Sequence, residues 1–233
     1  FDMNVLSLFD GMSCGQIALE RAGINVNKYY AAEIDRHAIT VTQANYPDTI
    51  QLGDATNWRE WSIDWASIDL LIGGSPCQGF SFAGKRLAFD DPRSRLFFVY
   101  VDILNHIRSV NPDVKFMLEN VKMKKEFLDV ISEHLGVDPV LINSALASAQ
   151  NRQRYYWANW EFGQPEDKGI VLADILEDTG MIGPSAIRGR RLNKATILGR
   201  RLNDKGKRED YNKEIPITQC LEVRATNRDK SNC

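Results

Sequence analysis

Cys77 stands directly after a proline in "GGSPCQGFS", residues 73 to 81, and that loop follows the apolar run "IDLLI". A cysteine so placed could be an inert small apolar side chain, a metal ligand, half of a disulfide, or a nucleophile held in the open. The four cysteines, Cys14, Cys77, Cys220 and Cys233, are widely spaced and form no CxxC pair. That spacing argues against a zinc site and against a disulfide framework, so Cys77 is expected to be a free thiol and no metal is expected. A thiol with an ordinary pKa of about 8.5 is only slightly ionised at neutral pH, so attack on carbon needs a partner or an activated electrophile. Glu119, with Asn120 in "LEN", can supply that second half. A buried carboxylic acid can protonate or hold a ring nitrogen and make an aromatic ring electrophilic enough for sulfur to add. On its own, Glu119 is equally suited to a salt bridge or a helix cap.

A second group of residues suits a ligand rather than a reaction. "LFDGMSCG", residues 8 to 15, sets two glycines at a turn where backbone must pass close to a ligand or to itself. Glu33 comes roughly twenty residues on, where an acidic side chain can accept from both hydroxyls of a ribose. "GDAT", residues 53 to 56, is expected to close the third strand and present Asp54 to an adenine amino group. Neither GxGxxG nor GxxxxGK[ST] is present, which argues for a nucleoside site and against a dinucleotide or triphosphate.

The elements that must hold these residues alternate regularly. "NVLSLF", "KYYAAEI", "IDLLIGG" and "VKFMLENV" read as strands, and "GQIALERAG", "DRHAITVTQANY", "RLFFVYVDILNHIRSV" and "KKEFLDVISEHLG" as helices. That rhythm predicts an α/β fold with an open, mostly parallel sheet wrapped by helices, and near-continuous apolar strands fit burial on both faces. In such sheets ligands sit at the carboxyl ends of the strands, so the candidate residues, distant in sequence, are expected to meet in one cleft. Beyond about residue 160 the rhythm fails. "EFGQPEDKG" reads as a loop and "IVLADILED" as a short helix. The repeat "GRRLN", at 189 to 193 and 199 to 203, reads as two arms of a hairpin. A catalytic domain is expected over 1–170 and a small, basic, mostly irregular or β region over 171–233.

Composition bounds the rest. The chain has 233 residues and is 43% hydrophobic, enough for a substantial core. It shows no signal peptide and no apolar stretch of membrane-spanning length, so a soluble intracellular protein with no membrane partner is expected. Net charge is only -2, yet residues 186 to 213 hold ten lysines and arginines against three acidic residues. That block is where a polyanion would be sought; a solvated surface loop is its other reading.

"FDGMSCG", "EIDRHA", "GDAT", "GGSPCQGFS", "ENV" and "QNRQR" follow one another in the order and approximate spacing of the DNA (cytosine-5)-methyltransferase family, which the chain resembles from about residue 4 to residue 158. "PCQGFS" is like the bacterial and phage branch; "SAQNRQRYYWAN" resembles the de novo branch in lacking a proline before the glutamine. The resemblance implies a Rossmann-like sheet that binds S-adenosylmethionine and releases S-adenosylhomocysteine, together with a target-recognition region. It implies that Cys77 adds to C6 of a cytosine while Glu119 engages N3 and the amino group. It also implies that Arg154 approaches O2 or the phosphate, that Arg152 supports the catalytic loop, and that Asn120 and Pro76 shape the backbone around the thiol. Phe9, Asp10, Gly11 and Gly15 resemble the methionine-binding turn, Glu33 and Ile34 the ribose end, Asp54 and Ala55 the adenine end, with Pro76 bordering both cofactor and base.

The partner implied is double-stranded DNA, from which the cytosine must be flipped out. Residues 78 to 95 look like a lid that closes behind it, with Ser81, Lys85 and Arg86 on the DNA. Arg188, Arg190, Arg191, Arg200 and Arg201 are expected to bind DNA as well. A cytoplasmic enzyme of a bacterium or phage, of the kind found in restriction-modification systems and acting as a monomer, is the expectation. Transfer RNA as the substrate and a catalytically silent DNA-binding homologue remain as alternatives. An unrelated thiol hydrolase needs a histidine base, and His37, His106 and His134 all fall within helical patterns. The family's closing helix and strand have no counterpart between Glu214 and Cys233, so further sequence is expected to complete the enzyme.

Overall fold

The computed structural model describes residues 2–76, 95–175, 194–202 and 208–216. It divides into two compact units, one made of residues 1–142 and 153–164 and the other of 143–152 and 165–233.

The first unit is built on a sheet whose strands are β1 (Met3–Leu8), β2 (Val26–Ala32), β3 (Ile50–Gln51), β4 (Leu70–Gly73), β5 (Lys115–Val121), β6 (Val140–Asn143) and β7 (Gln153–Ala158). Their order is β3-β2-β1-β4-β5-β7-β6. The first five run parallel and β7 pairs antiparallel with β5. The helices are α1 (Cys14–Arg21), α2 (Arg36–Asn45), α3 (Arg95–Val110) and α4 (Lys125–Leu135). All four expected strand–helix pairs are present, and the chain's direction of travel across the sheet reverses between β1 and β4. Loops leaving adjacent strands toward opposite sides open a crevice at such a point.

Side chains alternate between the two faces of the sheet, as the pleat requires. Leu6, Leu8, Tyr30, Ala32, Leu71, Phe116 and Leu118 pack in one cluster with Phe97, Tyr100, Ile103, Leu104 and Ile107 of α3 and Phe127, Ile131 and Leu135 of α4. Val5, Tyr29, Ala31, Leu70 and Ile72 pack in the other with Leu19 of α1. Trp157 of β7 is fully buried, and its indole N–H donates to Ser132 Oγ of α4 at 3.0 Å, which ties the antiparallel strand to the helix layer. α2 starts where Asp35 accepts from the His37 and Ala38 amides, and α4 stops at Gly136 in the left-handed region.

Three details depart from the sequence reading. The third strand ends at Gln51, because Gly53 at φ 75° turns the chain away and Asp54 caps a 3-10 turn over Ala55–Glu60 instead of closing a strand. The "IVLADILED" helix is a single 3-10 turn, Leu172–Ile175, within the described residues; Asp174 spends its side chain on the Val171 amide. The two "GRRLN" copies are not the two arms of a hairpin. The hairpin joins β8 (Lys194–Leu202) to β9 (Arg208–Pro216), and the first copy lies outside the described residues. The reason is local. A turn between the copies would have to use "KATIL", a β-forming stretch, whereas "NDKGK", 203 to 207, has turn composition.

Candidate active site

The loops that leave β1, β2 and β4 carry most of the candidate residues. After β1, Phe9 (φ 58°), Gly11 (φ 61°) and Ser13 (φ 57°) all adopt left-handed backbone. For the two that carry a Cβ this costs about 1–2 kcal/mol each, and such strain persists where surrounding bonds over-determine it. Those bonds are present. Gly11 N–H donates to Glu33 Oε2 at 2.8 Å, and Glu33 Oε1 accepts from the Ile34 and Asp35 amides, both at 2.8 Å. The carboxylate at the end of β2 therefore holds the β1–α1 turn. Beside it, Ile34 is 74% exposed, an apolar side chain standing in the open.

Asp10 is held from two sides. Its Oδ1 accepts from the Tyr29 hydroxyl at 2.7 Å, and its other oxygen accepts a short bond from Ser13 Oγ. Burial and the adjacent Asp10 carboxylate push the Tyr29 hydroxyl well above its usual pKa, so it stays protonated and donates. Among the described residues no lysine or arginine forms an ion pair with Asp10. The two glycines of this segment serve different ends. Around Gly11 a Cβ would meet nothing within 4 Å, so the space above that turn is open. A Cβ on Gly15 would stand 2.5 Å from Ile72 Cδ1 and 2.6 Å from the Tyr29 hydroxyl, so Gly15 lets α1 close onto the sheet. Asp54 is exposed with Oδ1 on the Thr56 amide at 2.8 Å; the Ala55 side chain belongs to the core.

The second constellation lies between β4 and β5. Glu119, Asn120, Arg154 and Pro76 are all described; Cys77, Ser81, Lys85, Arg86 and the rest of the expected lid up to residue 94 lie outside the described residues, and Arg95 opens α3. Pairing of β5 with β7 sets Glu119 opposite Tyr156 and Val121 opposite Arg154, so Glu119 and Arg154 are diagonal neighbours on one face. Arg154 Nε stands 2.9 Å from Glu119 Oε1, with side chains 19% and 29% exposed. Although the distance suits a hydrogen bond, the N–H is not aligned with one and Nε is a buried donor with no hydrogen-bond partner; the contact is an ion pair without that directionality. Glu119 Oε2 lies 3.1 Å from where a Cβ on Gly74 would be, so the carboxylate rests against backbone that leads to Pro76.

Asn120 faces the opposite way. It is 2% exposed, and its Nδ2 donates to the Ser75 carbonyl and Ser75 Oγ, each at 3.3 Å, while its Oδ1 accepts from the Val121 amide at 2.8 Å. β5 thus grips the loop after β4 two residues before Cys77. Arg152 belongs to the second unit, where its amide donates to Asn143 Oδ1 at 3.0 Å. Arg200 and Arg201 lie on β8, in register with Asp210 and Glu209; Arg188, Arg190 and Arg191 lie outside the described residues. Tyr29, Ser13 and Ser75 were not singled out from the sequence, since a strand tyrosine and loop serines look ordinary until their partners are known.

Among the described residues no group of three or more His, Cys, Asp or Glu is arranged to hold a metal ion, and no helix is long and apolar enough to cross a membrane. His37, His106 and His134 sit on α2, α3 and α4. His106 packs on the rings of Trp58 and Trp65, and His134 on Phe97 and Phe98. Among the described residues, then, no histidine stands beside the Ser75–Pro76 loop as a hydrolase base would need to.

A seven-stranded sheet in this order, with a carboxylate-held turn at the switch point and a Glu–Arg pair at the end of β5, is the Rossmann-like fold of methyltransferases. The chain belongs to the C-5 cytosine-specific DNA methylase family, whose model matches residues 3–161. It is similar to the orphan methyltransferase M.Rho11sI of Bacillus phage rho11s, with 35% identity over 167 residues that cover 66% of this chain and 32% of the relative. It is likewise similar to the type II methyltransferase M.HpaII of Haemophilus parainfluenzae, with 32% identity over 195 residues, 74% of this chain and 52% of the relative. The chain thus spans about a third to a half of the length of these curated relatives. A crystal structure of a mutant of Spodoptera frugiperda DNMT2 shares the fold with a TM-score of 0.51 and 22% identity, covering 73% of this chain and 54% of that one.

Proposed function

We propose that the protein carrying this chain transfers a methyl group from S-adenosylmethionine to C5 of a cytosine flipped out of duplex DNA. The observation that carries this is the Glu119–Arg154 pair set beside a loop that Asn120 anchors immediately before Cys77. The residues also fit the methyl donor. Space is open above Gly11, an exposed Ile34 can cover an adenine face, the Glu33 and Asp54 carboxylates can serve the ribose and the adenine amino group, and among the described residues Asp10 pairs with no cation. When bound, S-adenosylmethionine supplies an electrophilic methyl group.

The chain's residues supply the rest. The Cys77 thiolate adds to C6 and forms a carbon–sulfur bond, and the displaced ring electrons make C5 nucleophilic. Glu119 holds N3 and the exocyclic amino group while that charge develops. Arg154, with an unused buried Nε–H beside Glu119, serves the base O2 or its phosphate. After C5 has taken the methyl group, loss of the C5 proton to solvent expels Cys77, restores the C5–C6 double bond and returns the thiolate. Pro76 fixes the backbone that presents Cys77. Residues 1–170 are assigned to catalysis and 171–233 to target recognition, with Arg188, Arg190, Arg191, Arg200 and Arg201 on DNA and with Arg152 supporting the catalytic loop. Lys85, Arg86 and Ser81 follow the flipped strand.

The test is bisulfite sequencing of duplex DNA, with transfer RNA as the parallel substrate, after incubation with the full-length protein and with its Cys77→Ser variant. Methylated cytosine in DNA, lost in Cys77→Ser while S-adenosylhomocysteine still binds, is the expected result. Methylation confined to transfer RNA overturns the DNA assignment. Undiminished turnover in Cys77→Ser removes the nucleophile.

A further inference from the structure

The Asp10 carboxylate is half-buried at the β1–β4 crevice, and among the described residues it is met by hydroxyl groups and by no cation. Three features of the chain are given over to that arrangement. Tyr29 is buried at 3% exposure inside the cluster under α1, and yet its ring reaches up so that the hydroxyl, its one polar atom, meets Asp10. Gly15 lacks the Cβ that would collide with this hydroxyl at 2.6 Å. Ser13, fully buried and in left-handed backbone, turns its hydroxyl to the second carboxylate oxygen. A carboxylate fixed by two neutral donors is held in a single orientation, with acceptor capacity still unused. An anion in a partly buried turn without a counter-charge is complementary to a ligand cation.

We propose that Tyr29, assisted by Ser13, is a positioning residue that fixes Asp10 as the acceptor for the ammonium group at the amino-acid end of S-adenosylmethionine. This rests on the cofactor reading above and adds to it a residue on β2 that acts through Asp10. Desolvation and Asp10 itself keep the Tyr29 hydroxyl protonated, so it serves as a donor throughout the working pH range.

The experiment measures affinities by calorimetry for S-adenosylhomocysteine, which has the ammonium group, and by ligand-observed NMR for 5′-methylthioadenosine, which lacks the amino-acid end. The full chain is compared with Tyr29→Phe, which keeps the ring, and with Ser13→Gly, which keeps the left-handed backbone comfortable and removes the hydroxymethyl group. The expected result is S-adenosylhomocysteine binding weakened about 5- to 30-fold in each variant, as for loss of a hydrogen bond to a charged group. 5′-Methylthioadenosine binding should be unchanged within about twofold, well below the tenfold step of a lost charged contact. Equal weakening of both ligands, or of neither, overturns the proposal, since a merely structural role would not discriminate between them. Failure of the unsubstituted chain to bind either ligand overturns the cofactor reading itself.

Discussion

Replacing Gly74 by alanine tests whether the carboxylate of Glu119 stands where the structure has it. The new Cβ would lie 3.1 Å from Glu119 Oε2 and 3.7 Å from the Glu119 carbonyl oxygen, whereas ordinary contact begins at 3.4 Å. Gly74 is not among the glycines with positive φ, so alanine suits the backbone, and the group that must yield is the far end of a side chain 29% exposed. It yields by a few tenths of an ångström, at about 0.5–1.5 kcal/mol for an off-rotamer side chain, which lowers Tm by no more than about 6 °C in a domain of this size. Catalysis is more sensitive than folding, because a misplacement of about 1 Å can cost a hundredfold in rate. A shift of this size, made against the 2.9 Å pair with Arg154, should lower single-turnover methyl transfer about 5- to 30-fold. S-adenosylhomocysteine affinity should fall less than the rate, since the atoms that a Cβ on Gly74 would meet belong to Glu119 on β5 and not to the cofactor turn on β1 and β2. Gly163→Ala, whose Cβ would meet nothing within 4 Å, is the control. Transfer at the parental rate in Gly74→Ala, with the fold intact, would refute the placement of Glu119 as the group that holds the base.

Asn120→Ala should remove both donors to Ser75 and leave the Val121 amide unpaired, lowering stability by about 1–3 kcal/mol in chemical denaturation; it should also slow methyl transfer more than it weakens cofactor binding, and an unchanged rate would mean that the tether does not position Cys77. Alanine at Arg200 and Arg201 together should reduce the slope of log affinity for duplex DNA against log salt by about 2 if both contact phosphate. If filter binding across a salt series gives an unchanged slope, neither arginine contacts phosphate.

Much of the first unit could be read in advance because its cues are local. Strands with apolar faces on both sides, caps such as Asp35 and Gly136, and the polar residues clustered at strand ends each follow from a few neighbouring residues. The antiparallel β7 and the strand β6 have no such cue. Their place depends on pairing with β5, and only that pairing sets Arg154 diagonal to Glu119. The hairpin shows how a local cue can mislead, since a repeat of five residues drew attention away from the turn composition of "NDKGK" and toward the strand-forming "KATIL".

Gly15 is the sharpest case of a residue whose type was legible and whose use was not. A glycine in "FDGMSCG" suggests close approach of backbone to a ligand, and Gly11 fits that, with a positive φ and open space above it. Gly15, four residues on, is crowded from below: a Cβ would strike Ile72 and the hydroxyl of Tyr29. Its small size lets α1 approach the sheet closely enough for Tyr29 to reach Asp10 beneath the helix, a contact between residues 19 apart in sequence. The sequence shows a glycine at both positions, but the two serve different ends. One glycine keeps the upper side of the turn clear, and the other admits from underneath the hydroxyl that orients the carboxylate of that same turn.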